Sequence, residues 1–452
     1  MRRLALMLCA LACAPTLRAA SFAVDRLDDA VDMLPGDGVC LAIGGGCTLR
    51  AAIQESNALA GPDTLQLAAG THLLTLPGID EDLSSQGDLD VTDALTIEGA
   101  GPLVTVIDGG ALDRVLDVLP ADSARAVALR DLSLRNGRLD SFSQNSGGGA
   151  GLRVGRQVQL LIERVDIRNN VSSTFVDAMG LSNRGCINGQ RLRLLDNFDP
   201  DQTGNERARA GAIYTSGVDS CLSLSDSEIR GNQGDQTGAV YADDGAPITL
   251  SRSLVADNEG RATGAFLLNN NNEVLMDNVT ISGNRGNGAV LVDGGATLTL
   301  RNSTVTRNVG SFGQPVVGGI HDVHSLPGRT FISNTILSGN GPGALGDECR
   351  VVRSLDGGNI LGDSSRCQHQ LLPSDQVDVD PGLGPLADHG GWTHTHLPGP
   401  NAIDRGVTSA CLAEDQRGVT RPQDGDGDGL ADCDVGATEW VDPTALFADG
   451  FE

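Results

Sequence analysis

The chain reads as an all-β protein: a right-handed parallel β-helix solenoid, with a short N-terminal capping helix before it and a C-terminal domain after it. Three observations lead there. Short strands end in Asn at a drifting period, Leu or Val alternates with Thr or Ser inside them, and 60 glycines accompany only 3% aromatic residues. The pattern has the size of one supersecondary unit repeated along a solenoid, and helical periodicity is absent from it.

The clearest copies are I-R-G-N, V-A-D-N, I-S-G-N, V-T-R-N and L-S-G-N, ending at Asn232, Asn258, Asn284, Asn308 and Asn340, with looser copies ending at Asn136, Asn169 and Asn197. Successive gaps are 33, 28, 35, 26, 26, 24 and 32 residues. Within Gly288 to Asn308, three alternating segments and two turns make one coil, and coils stacked at about 4.8 Å bury their apolar rows against each other. An Asn at the same corner of each coil can bond the amides above and below it, forming a ladder. The other reading is that these Asn serve turns with positive φ; the two can coexist.

The N-terminus predicts export. Arg2 and Arg3, the apolar run Leu4 to Ala14 and small residues at Ala19 to Ser21 read as a signal peptide over residues 1–20. The run is too short to span a bilayer, and no later stretch predicts a membrane span. The net charge is −27 and becomes −30 once Arg2, Arg3 and Arg18 leave, which argues against nucleic acid as a partner. All 32 basic residues are Arg, so chemistry needing a lysine is excluded.

Eight cysteines remain after the signal, in four local pairs: Cys40 with Cys47, Cys186 with Cys221, Cys349 with Cys367, and Cys411 with Cys433. An even count without C-x-x-C spacing reads as disulfides in an oxidising compartment. Cys186 and Cys221 each lie 11 residues before a repeat Asn, Asn197 and Asn232. The register therefore stacks them within disulfide reach.

A β-helix exposes apolar core at its ends and needs caps. In C-T-L-R-A-A-I-Q-E-S-N, Leu49, Ala52, Ile53 and Ser56 share one helical face, Thr48 is a good N-cap, and Gly61-Pro62 stops the helix. This segment resembles the CSLREA domain at the front of exported bacterial β-helix proteins, with Ala51 where the family's capping box has Glu. Further on, Asp380-Pro-Gly-Leu-Gly-Pro-Leu-Ala-Asp-His-Gly-Gly391, Leu397-Pro-Gly-Pro-Asn-Ala-Ile-Asp404, Asp415-Gln-Arg-Gly418 with Arg421-Pro422, and Cys433-Asp-Val-Gly-Ala-Thr-Glu439 resemble the choice-of-anchor Q domain. The region between resembles the pectin-lyase-like fold, and Phe447 to Glu452 is similar to a short tail of exported proteobacterial proteins. The expected division is signal 1–20, CSLREA-like cap 21–62, β-helix 63–345, anchor-like domain 346–441 and tail 442–452.

Candidate chemistry is sparse. D-G-D-G-D-G-L-A-D-C-D presents Asp424, Asp426, Asp428 and Asp432 as calcium ligands, but Val435 stands where the loop's last acid belongs; the plain alternative is a solvated acidic turn. His389, His394 and His396 could take a transition metal if His394 and His396 faced one way on a strand, though a structural role fits them better. Asp166 and the pair Asp243-Asp244 could be proposed as glycosidase carboxylates, or simply as turn residues. The expectation is thus a non-catalytic exported protein of adhesion, matrix or surface display with a glycan or cell-surface ligand. The alternative is a polysaccharide lyase or glycoside hydrolase, which fold alone does not establish.

Overall fold

The computed structural model describes residues 19–79, 81–140, 147–198, 208–310, 317–325, 327–341 and 348–441. The signal segment and the tail after Val441 lie outside the described residues, Ala19 and Ala20 excepted. The chain winds as a right-handed parallel β-helix with three strand faces, and every strand-to-strand pairing is parallel. The first face runs from Ser21–Val24 and Asp63–Leu67 up to Gln368–Gln370. The second runs from Gly70–Leu73 to Gln376–Val377, and the third from Leu89–Val91 to Ile320–Asp322.

The second face shows how the alternation becomes a core. Ile107, Leu134, Ile167, Leu194, Ile229, Val255, Ile281, Val305, Leu337 and Leu361 are register partners from coil to coil. All are buried. Each such side chain contributes about 1.5–3 kcal/mol of hydrophobic stabilisation, and a one-residue slip would turn the whole row outward.

The corner after this face carries the Asn ladder. Nδ2 of Asn170, Asn197, Asn232, Asn258, Asn284 and Asn308 donates to Oδ1 of the next Asn at 2.8–2.9 Å, ending on Asn340. Each of these backbone N–H groups donates to the same oxygen. The residue before each ladder Asn has positive φ: Asn169, Asp196, Gly231, Asp257, Gly283, Arg307 and Gly339. This corrects the early repeats. Asn169 is the exposed turn residue and Asn170 the rung, while Asn136 turns the corner before Gly137, whose N–H donates to Asn170 Oδ1. Both roles proposed for Asn thus exist, one residue apart. At the top Glu348 replaces the next Asn, accepting from Gly339 N, Asn340 N and Asn340 Nδ2. Burial pushes its carboxyl up to about 7.

The cap is a ten-residue helix, Leu49–Ala58, with Thr48 Oγ1 accepting from Ala51 N. Its polar side is buried as well as its apolar side, because the segments around Asp29 and Ser84 close over it. Arg50 pairs with Asp29 at 2.6 Å and donates to the carbonyls of Ser84, Gly87 and Asp88. Glu55 accepts from Gly36 N and Gly38 N.

The four disulfides join Cys40–Cys47, Cys186–Cys221, Cys349–Cys367 and Cys411–Cys433, with Cα separations of 5.2, 4.3, 5.0 and 6.0 Å. Cys186 and Cys221 are register partners on adjacent strands.

Beyond residue 345, strands Val351–Gly357, Ile360–Leu361, Gln368–Gln370 and Gln376–Val377 continue the stack. The chain then returns along the outside of the second face. Thr280 Oγ1 donates to Gln416 Oε1 (2.6 Å), Ala437 N to Thr304 Oγ1 (3.0 Å) and Val407 N to Asn334 Oδ1 (2.7 Å). The segment after residue 378 is therefore a strap on the flank of the solenoid.

Candidate functional site

The carboxylates singled out for catalysis are bound up in structure. Asp166 is buried and held on both oxygens by Arg193, at 2.7 Å each. Asp243 ends strand Val240–Asp243 and accepts from Asn270 Nδ2 (2.6 Å); the exposed Asp244 turns the chain at φ 53° and accepts from Ser216 Oγ (3.1 Å).

The three histidines do not assemble. The segment forms only an isolated bridge, Ala387 to Thr395, so His394 is exposed while His396 is buried. His396 clamps the strap to the coil: Nδ1–H donates to Gly384 O (2.7 Å) and Nε2 accepts from Ser282 Oγ (2.9 Å). Burial, with smaller repulsion from Arg307 and His389, pushes its pKa down to about 4. A lowered imidazole pKa means the unfolded state takes the proton first, so stability present above pH 6.5 is lost as pH falls towards 4. The shift corresponds to on the order of 3 kcal/mol. His396→Gln should flatten the acid limb of a denaturation-midpoint profile over that window; an unchanged profile refutes the neutral clamp.

The acidic loop closes on itself. Asp424 accepts from Gly427 N and Gly429 N, Asp426 from Asp428 N, and Asp428 from Leu430 N. The carboxylates that converge are Asp404, Asp424 and Asp426, whose oxygens lie within 4.8 Å of one another. Asp428 and Asp432 stay outside this group, with Asp432 accepting from Thr408 Oγ1. Asp404 lies earlier in the strap, 20 residues before Asp424, and the turn after Ala402 delivers it. Its Oδ1 is enclosed without a hydrogen-bond partner. Sequence spacing inside the D-G-D-G-D-G run could not reveal it.

A cleft of about 230 Å³ lies where the strap crosses the corner between the first and second faces, lined by Arg164, Asp166, Arg191, Arg193, Asp226 and Trp392 among others. The corner column reads Asp131, Arg164, Arg191, Asp226, Arg252, all at positive φ. Arg164 pairs with Asp131 (2.6 Å) and Arg252 with Asp226 (2.8 Å). Among the described residues Arg191 has no ion-pair partner; its guanidinium lies 3.8 Å from the centre of the Trp392 ring. Such a contact is worth about 0.5–1 kcal/mol at an exposed site. The Gly390-Gly391 turn, both at positive φ, swings Trp392 outward, and it remains 54% exposed. A Cβ on Gly391 would lie 2.8 Å from Arg417 Cα. Trp392 was visible in the sequence only as a rare aromatic; its meeting with Arg191, 201 residues earlier, needs the strap's path.

The family described as "Right handed beta helix region" matches residues 150–336. Those residues hold coils of the fold described above. Among solved structures the chain is similar to pectate lyase Pel9A, at 13% identity, covering 94% of this chain and 98% of that one, with a TM-score of 0.47. It is also similar to the A-module of the mannuronan C-5 epimerase AlgE6 of Azotobacter vinelandii, at 16% identity, covering 73% and 93%, with a TM-score of 0.35. No curated protein matches. No described helix is long and apolar enough to cross a membrane.

Proposed function

We propose that the mature chain is an exported, non-catalytic surface or extracellular β-helix protein that binds a glycan at the Trp392 cleft and acts in adhesion, matrix or surface display. One observation carries the reading: an exposed Trp ring, backed by Arg191, lines a cleft in which two of the three carboxylates, Asp166 and Asp226, are each gripped by arginine on both oxygens, while the third, Glu228, stands 3.7 Å from Arg230. That arrangement offers a stacking platform and hydrogen-bond donors. A glycosidase instead needs one raised and one ionised carboxyl facing the scissile bond. The net charge, −27 for the whole sequence and −30 without Arg2, Arg3 and Arg18, disfavours long polyuronates and points to neutral or sparsely charged glycans.

Glycan-array binding of the mature chain should fall at least about tenfold in Trp392→Ala, a loss of about 1.4 kcal/mol or more, with no new unsaturated or reducing ends from pectate or alginate. Binding untouched by Trp392→Ala removes the cleft from the account. Product abolished by Asp166→Asn or Asp244→Asn would establish the alternative, a lyase or hydrolase. Fractionation of the full chain beside one ending at Val441 tests surface retention. Calcium is kept as a ligand of the acidic loop, through Asp404, Asp424 and Asp426.

A further inference from the structure

We propose a second divalent-cation site, of the calcium class, formed by Asp88, Asp90 and Asp117 beneath the N-terminal cap. One carboxylate oxygen from each lies within 4.8 Å of the others, and all three residues are buried. Oxygens bound to one calcium at about 2.3–2.6 Å stand at most about 5 Å apart, so these three can share one ion, and an all-oxygen donor set selects a hard cation.

The parallel register brings the carboxylates together. Asp90 and Asp117 are direct partners on adjacent strands, Leu89–Val91 and Leu116–Val118, and like charges placed so repel. Arg114 reaches Asp88 (3.0 Å) and Asp117 (3.2 Å), and Arg153 Nε donates to Asp117 Oδ1 (2.9 Å). Among the described residues no arginine forms an ion pair with Asp90. Asp90 Oδ2 accepts from Ser84 N (2.8 Å), while Oδ1, on a side chain with no exposed surface, has no hydrogen-bond partner. Buried polar atoms are rarely left so without an ion, water or proton to satisfy them.

A cation bound here would have a mechanical consequence, because the turn at Ser84–Asp88 is the one whose carbonyls Arg50 of the cap helix holds. Asp90 binds that turn from the other side. The ion therefore ties the cap to the first coils, and the site is independent of the glycan cleft.

The test uses the full mature chain carrying Asp424→Asn, which silences the acidic loop. After chelation and equilibrium dialysis against calcium, one ion per chain is expected. It should be lost in the Asp90→Asn double variant, together with a calcium-dependent rise in unfolding temperature. Hydrogen exchange should show calcium protecting residues 84–90 and the helix Leu49–Ala58, a readout that stands even if Asp90→Asn folds poorly. No bound calcium and no change in exchange would overturn the site. Asp90→Asn raising the unfolding temperature equally with calcium and with chelator would assign a proton to Asp90 instead.

Discussion

Asn284→Ala is expected to lower stability by about 3 kcal/mol, because it strips an acceptor from two buried donors and a donor from a buried carbonyl. Asn284 Oδ1 accepts from Asn258 N (3.0 Å) and Asn258 Nδ2 (2.9 Å), and its own Nδ2 donates to Val255 O and Asn308 Oδ1, both at 2.9 Å. The residue has no exposed surface, so bulk solvent does not reach these partners. Asn284→Asp separates the two halves of the rung. It keeps the acceptor but sets a carboxylate against Asn308 Oδ1, so its loss should exceed that of a neutral acceptor at pH 7 and shrink at pH 4. Asn169→Ala, at the exposed turn beside a rung, should cost only about 1 kcal/mol through left-handed backbone strain. Denaturant midpoints decide it, and a wild-type midpoint for Asn284→Ala sinks the ladder as a source of stability.

Arg421→Ala is expected to cost about 3–5 kcal/mol within the strap, since removing one member of a buried charge cluster leaves the others uncompensated. The Arg421 side chain is fully buried, pairs with Glu439 at 3.1 Å, and donates to the carbonyls of Asp434 (2.9 Å) and Gly436 (2.7 Å). Glu439 in turn accepts from Gln423 N and Asp434 N, and Asp415 accepts from Glu439 N. The strap should peel from the solenoid while the stacked coils persist, because coils draw their stability from neighbouring coils. Limited proteolysis should therefore clip residues after 378 and leave a protected core. Lysine should not rescue, since one ammonium cannot reproduce a fork serving a carboxylate and two carbonyls. A variant as protease-resistant as wild type would refute this account of how the strap is held.

These two clusters also mark how far the sequence could be read. The rungs from Asn232 to Asn340 were legible because every copy there repeats a strand, one corner residue and an Asn, and the alternation beside it leaves a single register that buries Leu and Ile. Asn169-Asn170 defeated that reading, since two identical residues occupy the turn and the rung, and only the pairing of Arg168 with Leu195 tells them apart. Glu348 was invisible for a related reason: an acid ending a ladder of amides matches no repeated letter, and its role comes from position alone. The blocks around Asp404, Asp415, Arg421 and Glu439 were recognisable as text. Their mutual contacts were not, because no period relates them.

The sequence by itself determined the solenoid, the corner at which its amides stack and the pairing of Cys186 with Cys221, because contacts in a parallel coil link residues one period apart and a period can be read along a line. Only the tertiary structure decided where the strap lies, that Arg191 meets Trp392, that Asp404 joins the acidic loop, and that Asp88, Asp90 and Asp117 share one buried spot. Those contacts join segments whose separation along the chain follows no repeat, or place side chains by loop closure and desolvation, and such terms exist only once the chain has folded back on itself.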